Sequence, residues 1–140
     1  MGVTVQCKKT HHSFDLSYGG FLRLRRRVAI LTGEPFASHY KSLLEHHRCF
    51  EGADPFYDEF DQKTELMLLK KQVSVKVVDF CLQPDCDGSI RYGACKKLLE
   101  IIGDYSNNNN YGYAHRPVRF ADFTALLKEC VEHKCDLVWF

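Results

Sequence analysis

Val73-Ser74-Val75-Lys76-Val77-Val78-Asp79-Phe80-Cys81-Leu82-Gln83-Pro84-Asp85-Cys86-Asp87-Gly88-Ser89-Ile90 is the stretch whose reading decides the fold. As far as Phe80 it alternates and is rich in valine, which favours a strand. From Gln83 onward it has the frame of a calcium-binding loop. With Gly88 at the sixth position, Asp85 and Asp87 fall at three and five, and Ile90 at eight. Position one is then Gln83 and position twelve Ala94, where a calcium loop needs an aspartate and a bidentate glutamate. The frame is present without its terminal ligands, so the stretch reads as an ion-free helix–loop–helix turn. Such a loop has a helix on each side, and this makes Ser74–Leu82 a helix. A strand over Val73–Phe80 is the alternative.

Working outward, Tyr92 to Gly103 reads as the second helix of the pair, packed through Cys95, Leu98, Leu99 and Ile102. On the N-terminal side, Phe21, Leu24, Val28 and Leu31 recur at helical spacing after the cap Ser17, and Gly33 ends the run. Arg23, Arg26 and Arg27 then occupy its solvent side. A helix over Pro35–Arg48 comes next, and another runs from the cap Asp54 to about Lys71. Ala121–Glu132 is the last. Residues 1–17 look irregular apart from a short strand at Gly2–Cys7, and the apolar end Leu137–Phe140 should dock into the core. The expected fold is mainly α: one compact domain, residues 1–140, of five or six helices. The alternative is α+β, with a small sheet including Val73–Phe80 and the C-terminus.

The 140 residues, 45% hydrophobic, suit one domain with a real core. No apolar run of about 18 residues exists, so no membrane span is expected. Met1–Lys9 lacks an apolar signal segment, which points to the cytoplasm and, with an odd count of 7 cysteines, to reduced thiols. The net charge of +1 conceals an asymmetry: eight basic against three acidic residues over 1–50, and four against nine over 51–90. The bland account is internal pairing of the arginines with Glu51, Asp54, Asp58, Glu59 and Asp61.

Signals for chemistry are sparse. Neither a nucleophile elbow nor a phosphate-binding Gly-Lys loop occurs, so no catalytic residue is assigned and a non-enzymatic protein is favoured. Cys130, His133 and Cys135 form one Cys/His cluster, and His46, His47 and Cys49 another. No Cys-x2-Cys pair occurs, and the pairs 81/86 and 130/135 are five apart. The cysteines are therefore read as small buried hydrophobes, and neither metal nor cofactor is expected. Two glycine-tyrosine loops carry the best binding signal. Tyr18, Gly19 and Gly20 precede Arg23 and Arg26, so open backbone N–H groups at a helix start could face an anion. Tyr111, Tyr113, His115 and Arg116 offer aromatic platforms beside a cation, in a long loop from Asp104 to Pro117. Two helices around Gly33-Glu34-Pro35 leave helix-turn-helix DNA binding as the alternative, against which the near-neutral balance weighs.

Tyr18-Gly19-Gly20-Phe21-Leu22-Arg23-Leu24-Arg25, Ile90-Arg91-Tyr92-Gly93-Ala94-Cys95-Lys96, Ile101-Ile102-Gly103-Asp104-Tyr105 and Cys135-Asp136-Leu137-Val138-Trp139 together resemble a group of small uncharacterised proteins of phages and other mobile elements of Gram-positive bacteria. The resemblance brings no catalytic residues with it. It implies an accessory protein that binds a host factor or sequesters a nucleotide-like signal.

Overall fold

The computed structural model describes residues 2–46 and 55–140. In chain order the elements are β1 (Gly2–Cys7), β2 (Ser13–Ser17), α1 (Tyr18–Thr32), α2 (Phe36–His46), α3 (Pro55–Leu69), α4 (Val75–Leu82), β3 (Gly88–Ile90), α5 (Tyr92–Ile102), α6 (Phe120–His133) and β4 (Leu137–Trp139). The Asp54 cap and the residues His47, Arg48 and Cys49 lie outside the described residues.

Val75–Leu82 is a helix. Ser74 caps it, its hydroxyl accepting from the Lys76 N–H at 3.2 Å. Val77, Phe80 and Cys81 are buried on one side while Val75 is 55% exposed. A strand would have put Asp79 on the same face as Val73, Val75 and Val77, and the helix removes that conflict.

A mainly α architecture is nevertheless incomplete. A four-stranded antiparallel sheet, in the order β2-β1-β4-β3, makes the fold α+β, without the Val73–Phe80 segment that the alternative reading placed in it. The first and last strands are the central pair. Their inner faces meet in rows, Val5 beside Trp139 beside Gly88, and Cys7 beside Leu137 beside Ile90. Backbone bonds in both directions between Thr4 and Phe140 (2.8 and 3.0 Å) extend that pairing. So the apolar C-terminus docks as a strand, and the eighth position of the calcium-like loop, Ile90, pairs with it.

Helices cover the inner face, and Val5, Phe80, Phe120, Phe123 and Trp139 are fully buried between the layers. Trp139 organises the centre. Its ring meets Phe21 at 5.7 Å and Phe80 at 5.8 Å, and its indole N–H donates to the Pro84 carbonyl at 2.9 Å. A Cβ on Gly88 would overlap that indole, so the glycine is required by close approach. The left-handed residue of the turn is Asp87 (φ 57°) rather than Gly88. The Gln83 amide closes the loop, donating to the Ser89 carbonyl (2.7 Å) and accepting from its N–H (3.2 Å). Position one thus spans the loop with an amide where a calcium site would place a carboxylate.

Arg25 is buried beside this loop at 5% exposure. Its guanidinium lies 4.3 Å from the centre of the Phe21 ring and 5.3 Å from that of Trp139, and donates to the Pro84 carbonyl at 3.4 Å. Burial lowers its pKa from the ordinary arginine value, opposed by Tyr40, Cys81 and Asp85. Burial pushes the neighbouring Cys81 thiol up to about 12.

Between α2 and α3 the His39 ring stacks on Phe60 at 3.9 Å, and its Nε2 lies 2.7 Å from the Thr64 hydroxyl. Thr64 donates its own proton to the Phe60 carbonyl at 2.9 Å, which makes the imidazole the donor. Burial holds the His39 pKa below 6.5, helped by Lys63 and opposed by Asp61. The folded state therefore binds this proton less readily than the unfolded chain. The resulting stability is complete above about pH 6.5 and declines as pH falls through the folded pKa. Thermal melts between about pH 7.5 and 5.5 should show a steeper fall for the wild type than for His39→Gln. Parallel curves would remove His39 as the cause.

Among the described residues no helix is long and apolar enough to cross a membrane.

Candidate functional site

The exposed face of α1 carries Arg23, Arg26, Arg27 and Ile30, one helical stripe by spacing. The loop after α5 crosses it. Arg23 donates to the Asn110 carbonyl at 3.2 Å, and the Arg27 guanidinium lies 5.5 Å from the centre of the Tyr105 ring. Between helix and loop runs a cleft of about 530 Å³, whose loop side is Asn109, Asn110 and Tyr111. No acidic side chain lines it. Among the described residues the three arginines form no ion pair, so the expected pairing with Asp58, Glu59 and Asp61 is not made; Glu51 and Asp54 lie outside the described residues.

The asparagine run holds the loop in place. The Asn110 side-chain oxygen accepts from the Gly112 and Val118 N–H groups (2.9 and 3.0 Å), and its amide donates to the Tyr113 carbonyl at 3.3 Å. Asn107 donates to the hydroxyls of Tyr105 (3.0 Å) and Tyr111 (2.9 Å). Arg119 donates to the Asn108 carbonyl at 2.8 Å, bringing a fourth guanidinium to the run. Asparagine suits such work because its short amide can replace backbone partners in turns.

The two glycine-tyrosine loops do meet, through backbone. The Tyr111 carbonyl sits over Gly20 so closely that a Cβ there would overlap it. The Gly20 N–H is taken by the Ser17 hydroxyl at 2.9 Å. The start of α1 is therefore capped and covered at Gly20, and the exposed cations lie further along the helix. Tyr18 is 40% exposed and Gly19 is exposed, whereas Tyr111 is 2% exposed with its ring near Phe120, so it offers no platform for stacking.

Tyr113, His115 and Arg116 lie elsewhere, around a smaller cleft of about 300 Å³ shared with Gly2, Thr4 and Asp15. Arg116 pairs with Asp15 at 2.9 Å, and the Tyr113 and His115 rings stack at 5.9 Å. Of the nine residues expected to form one surface, Gly20, Arg23, Arg26 and Tyr111 come together, and the last three of the loop do not join them. Arg27, Ile30, Asn109 and Asn110 complete the cleft. Helical spacing from Arg23 points to Arg27 and Ile30, but nothing local in the sequence points to the asparagines.

The Cys/His clusters are also rearranged. Cys130 and Cys135 converge with Cys7, from the other end of the chain, and not with His133. His46 stacks on Phe56 at 3.9 Å, while its expected partners His47 and Cys49 lie outside the described residues. No protein family, curated protein or solved structure matches the chain.

Proposed function

We propose that this is a non-enzymatic cytoplasmic binding protein that takes a small polyanion, of the nucleotide or pyrophosphate type, between α1 and the 104–117 loop. The observation that carries the reading is the set of three guanidinium groups facing a cleft with no acidic lining. Arginine suits phosphate because its planar fork donates in pairs. At about 530 Å³ the cleft lies within the usual range for small-molecule sites. With Tyr111 buried, recognition falls on charge and hydrogen bonding more than on stacking of a base. The resemblance to small accessory proteins of mobile elements agrees with a sequestering role. A host protein presenting an acidic face is the other partner of this class. The loop lying across the arginines favours a small ligand over a DNA duplex, which would need the helix face open.

Thermal shift with a panel of nucleotides and pyrophosphate at low salt tests this. A ligand at a hundred times its Kd stabilises by about 2.7 kcal/mol, a readily seen rise in Tm. Arg26→Ala should weaken binding roughly tenfold with little change in the Tm of the unliganded protein, since Arg26 makes no ion pair or hydrogen bond among the described residues. No shift across the panel would remove the small-anion ligand. Binding to duplex DNA with a steep salt slope would favour the helix-turn-helix alternative.

A further inference from the structure

Three cysteines from separate parts of the chain converge on one point. Cys7 ends β1, Cys130 lies in the last turn of α6, and Cys135 stands in the turn before β4. Their sulfurs all lie within 4.8 Å of one another, with Cys7 and Cys135 only 3.2 Å apart. The fold makes this convergence in two ways. Lys134 adopts a left-handed conformation (φ 50°) that ends α6 and turns the chain back, so that the Cys135 N–H donates to the Cys130 carbonyl at 3.1 Å. The antiparallel pairing of β1 with β4, extended by the Lys8 N–H to the Asp136 carbonyl at 3.0 Å, brings in Cys7.

We propose that Cys7, Cys130 and Cys135 form a binding site for a thiophilic divalent cation, with zinc as the expected occupant. Tetrahedral zinc with Zn–S bonds of about 2.3 Å sets its sulfurs roughly 3.8 Å apart. The observed separations, from 3.2 Å to under 4.8 Å, bracket that value, so sub-ångström side-chain adjustment suffices. A fourth thiol, Cys95 of α5, is fully buried and interacts with Cys130, which makes it the nearest source of a fourth ligand. Cys7 and Cys130 are fully buried and Cys135 is half-buried, which gives an ion a route in from solvent and shields it once bound.

The surroundings favour the thiolate at Cys7, whereas the Cys95 contact and burial raise the Cys130 thiol and burial raises that of Cys135, so the cation itself must displace those two protons. Lys9 and Thr10, in the turn after β1, direct backbone hydrogen bonds at the Cys7 sulfur, and Thr10 adds its hydroxyl. Burial raises the Cys7 thiol, but these bonds and that from Cys135 outweigh it and hold the pKa below the ordinary value. Binding releases the three thiol protons to solvent and changes no oxidation state. Cys81 donates to the Arg25 carbonyl at 3.8 Å, as Cys130 does to that of Asp136, but it lies outside the three-sulfur cluster and packs as a small hydrophobe.

The test uses the full chain purified in the presence of reductant. Elemental analysis should find one zinc per chain, and cobalt(II) added to metal-stripped protein should saturate at one equivalent with the thiolate charge-transfer and tetrahedral d–d bands. Cys135→Ser and Cys130→Ser should each lose stoichiometric binding, whereas Cys86→Ser, at an exposed position, should keep it. Should a core substitution prevent folding, half-buried Cys135 provides the readout, with unchanged far-UV circular dichroism as its control. Fully reduced protein that shows no cobalt bands overturns the proposal. So do bands that persist in Cys135→Ser, or a Cys7–Cys135 disulfide that forms in place of metal binding under the same reductant.

Discussion

Trp139→Ala should lower the stability of the protein by about 3–5 kcal/mol, the range for removing a fully buried large aromatic side chain. Total stabilities are typically about 5–15 kcal/mol, so this variant stands close to unfolding. The expected size follows from what the indole touches. It packs on Phe21 and Phe80, lies beside the Arg25 guanidinium and donates to the Pro84 carbonyl. Its loss leaves a cavity, a less shielded buried cation and a carbonyl with only the longer bond from Arg25. Gly88→Ala tests the same contact from the other side. In the wild type its methyl would overlap the indole; in the Trp139→Ala background that space is vacant. The two substitutions should therefore be strongly non-additive in urea denaturation. Additive effects would mean that Gly88 serves some end other than clearance.

Gly20→Ala and Gly19→Ala should have opposite signs although the residues are adjacent. Both glycines lie in the first turn of α1, where alanine gains roughly 0.5–1 kcal/mol over glycine from chain entropy. Around Gly19 the nearest atom to an added Cβ is the Arg23 guanidinium at 4.0 Å, so that gain should appear in full. At Gly20 the methyl would overlap the Tyr111 carbonyl, and a backbone pinned by Asn110 and by the Val118 carbonyl yields less readily than a side chain. Overpacking of this kind costs about 1–3 kcal/mol, which outweighs the entropy gain. Displacing Tyr111 should also distort the arginine cleft, so anion binding should fall in Gly20→Ala and persist in Gly19→Ala. Equal Tm values for the two would count against the backbone contact that joins the loops.

Among candidate site residues, the sequence located the arginine stripe because helical spacing fixes which side chains share a face. It could not tell that Gly20 is capped and covered, nor that Tyr111 is buried while Tyr113 and His115 face another cleft. Those outcomes depend on where a long loop lands, and its asparagines bond only within the folded loop. Arg25 shows the same limit. As one of four arginines between positions 23 and 27, it differs from its neighbours only by facing inward, onto Phe21 of its own helix and onto rings supplied by α4 and β4.

The helices, the cap at Ser17 and the apolar character of the C-terminus were determined by the chain itself. A helix closes its hydrogen bonds within four residues, and its buried stripe is written at the same spacing. The reading of Ser74–Leu82 as a helix belongs to that class, whereas the pairing of Gly88–Ile90 as a strand does not. The sheet, and with it the α+β architecture, was decided only by tertiary structure. The hydrogen bonds of β1 and β4 go to partners at opposite ends of the chain, and a three-residue strand has too few positions to declare its pairing locally. The same pairing gathers Cys7 with Cys130 and Cys135, so a cluster without Cys-x2-Cys spacing arises from register and from one left-handed turn.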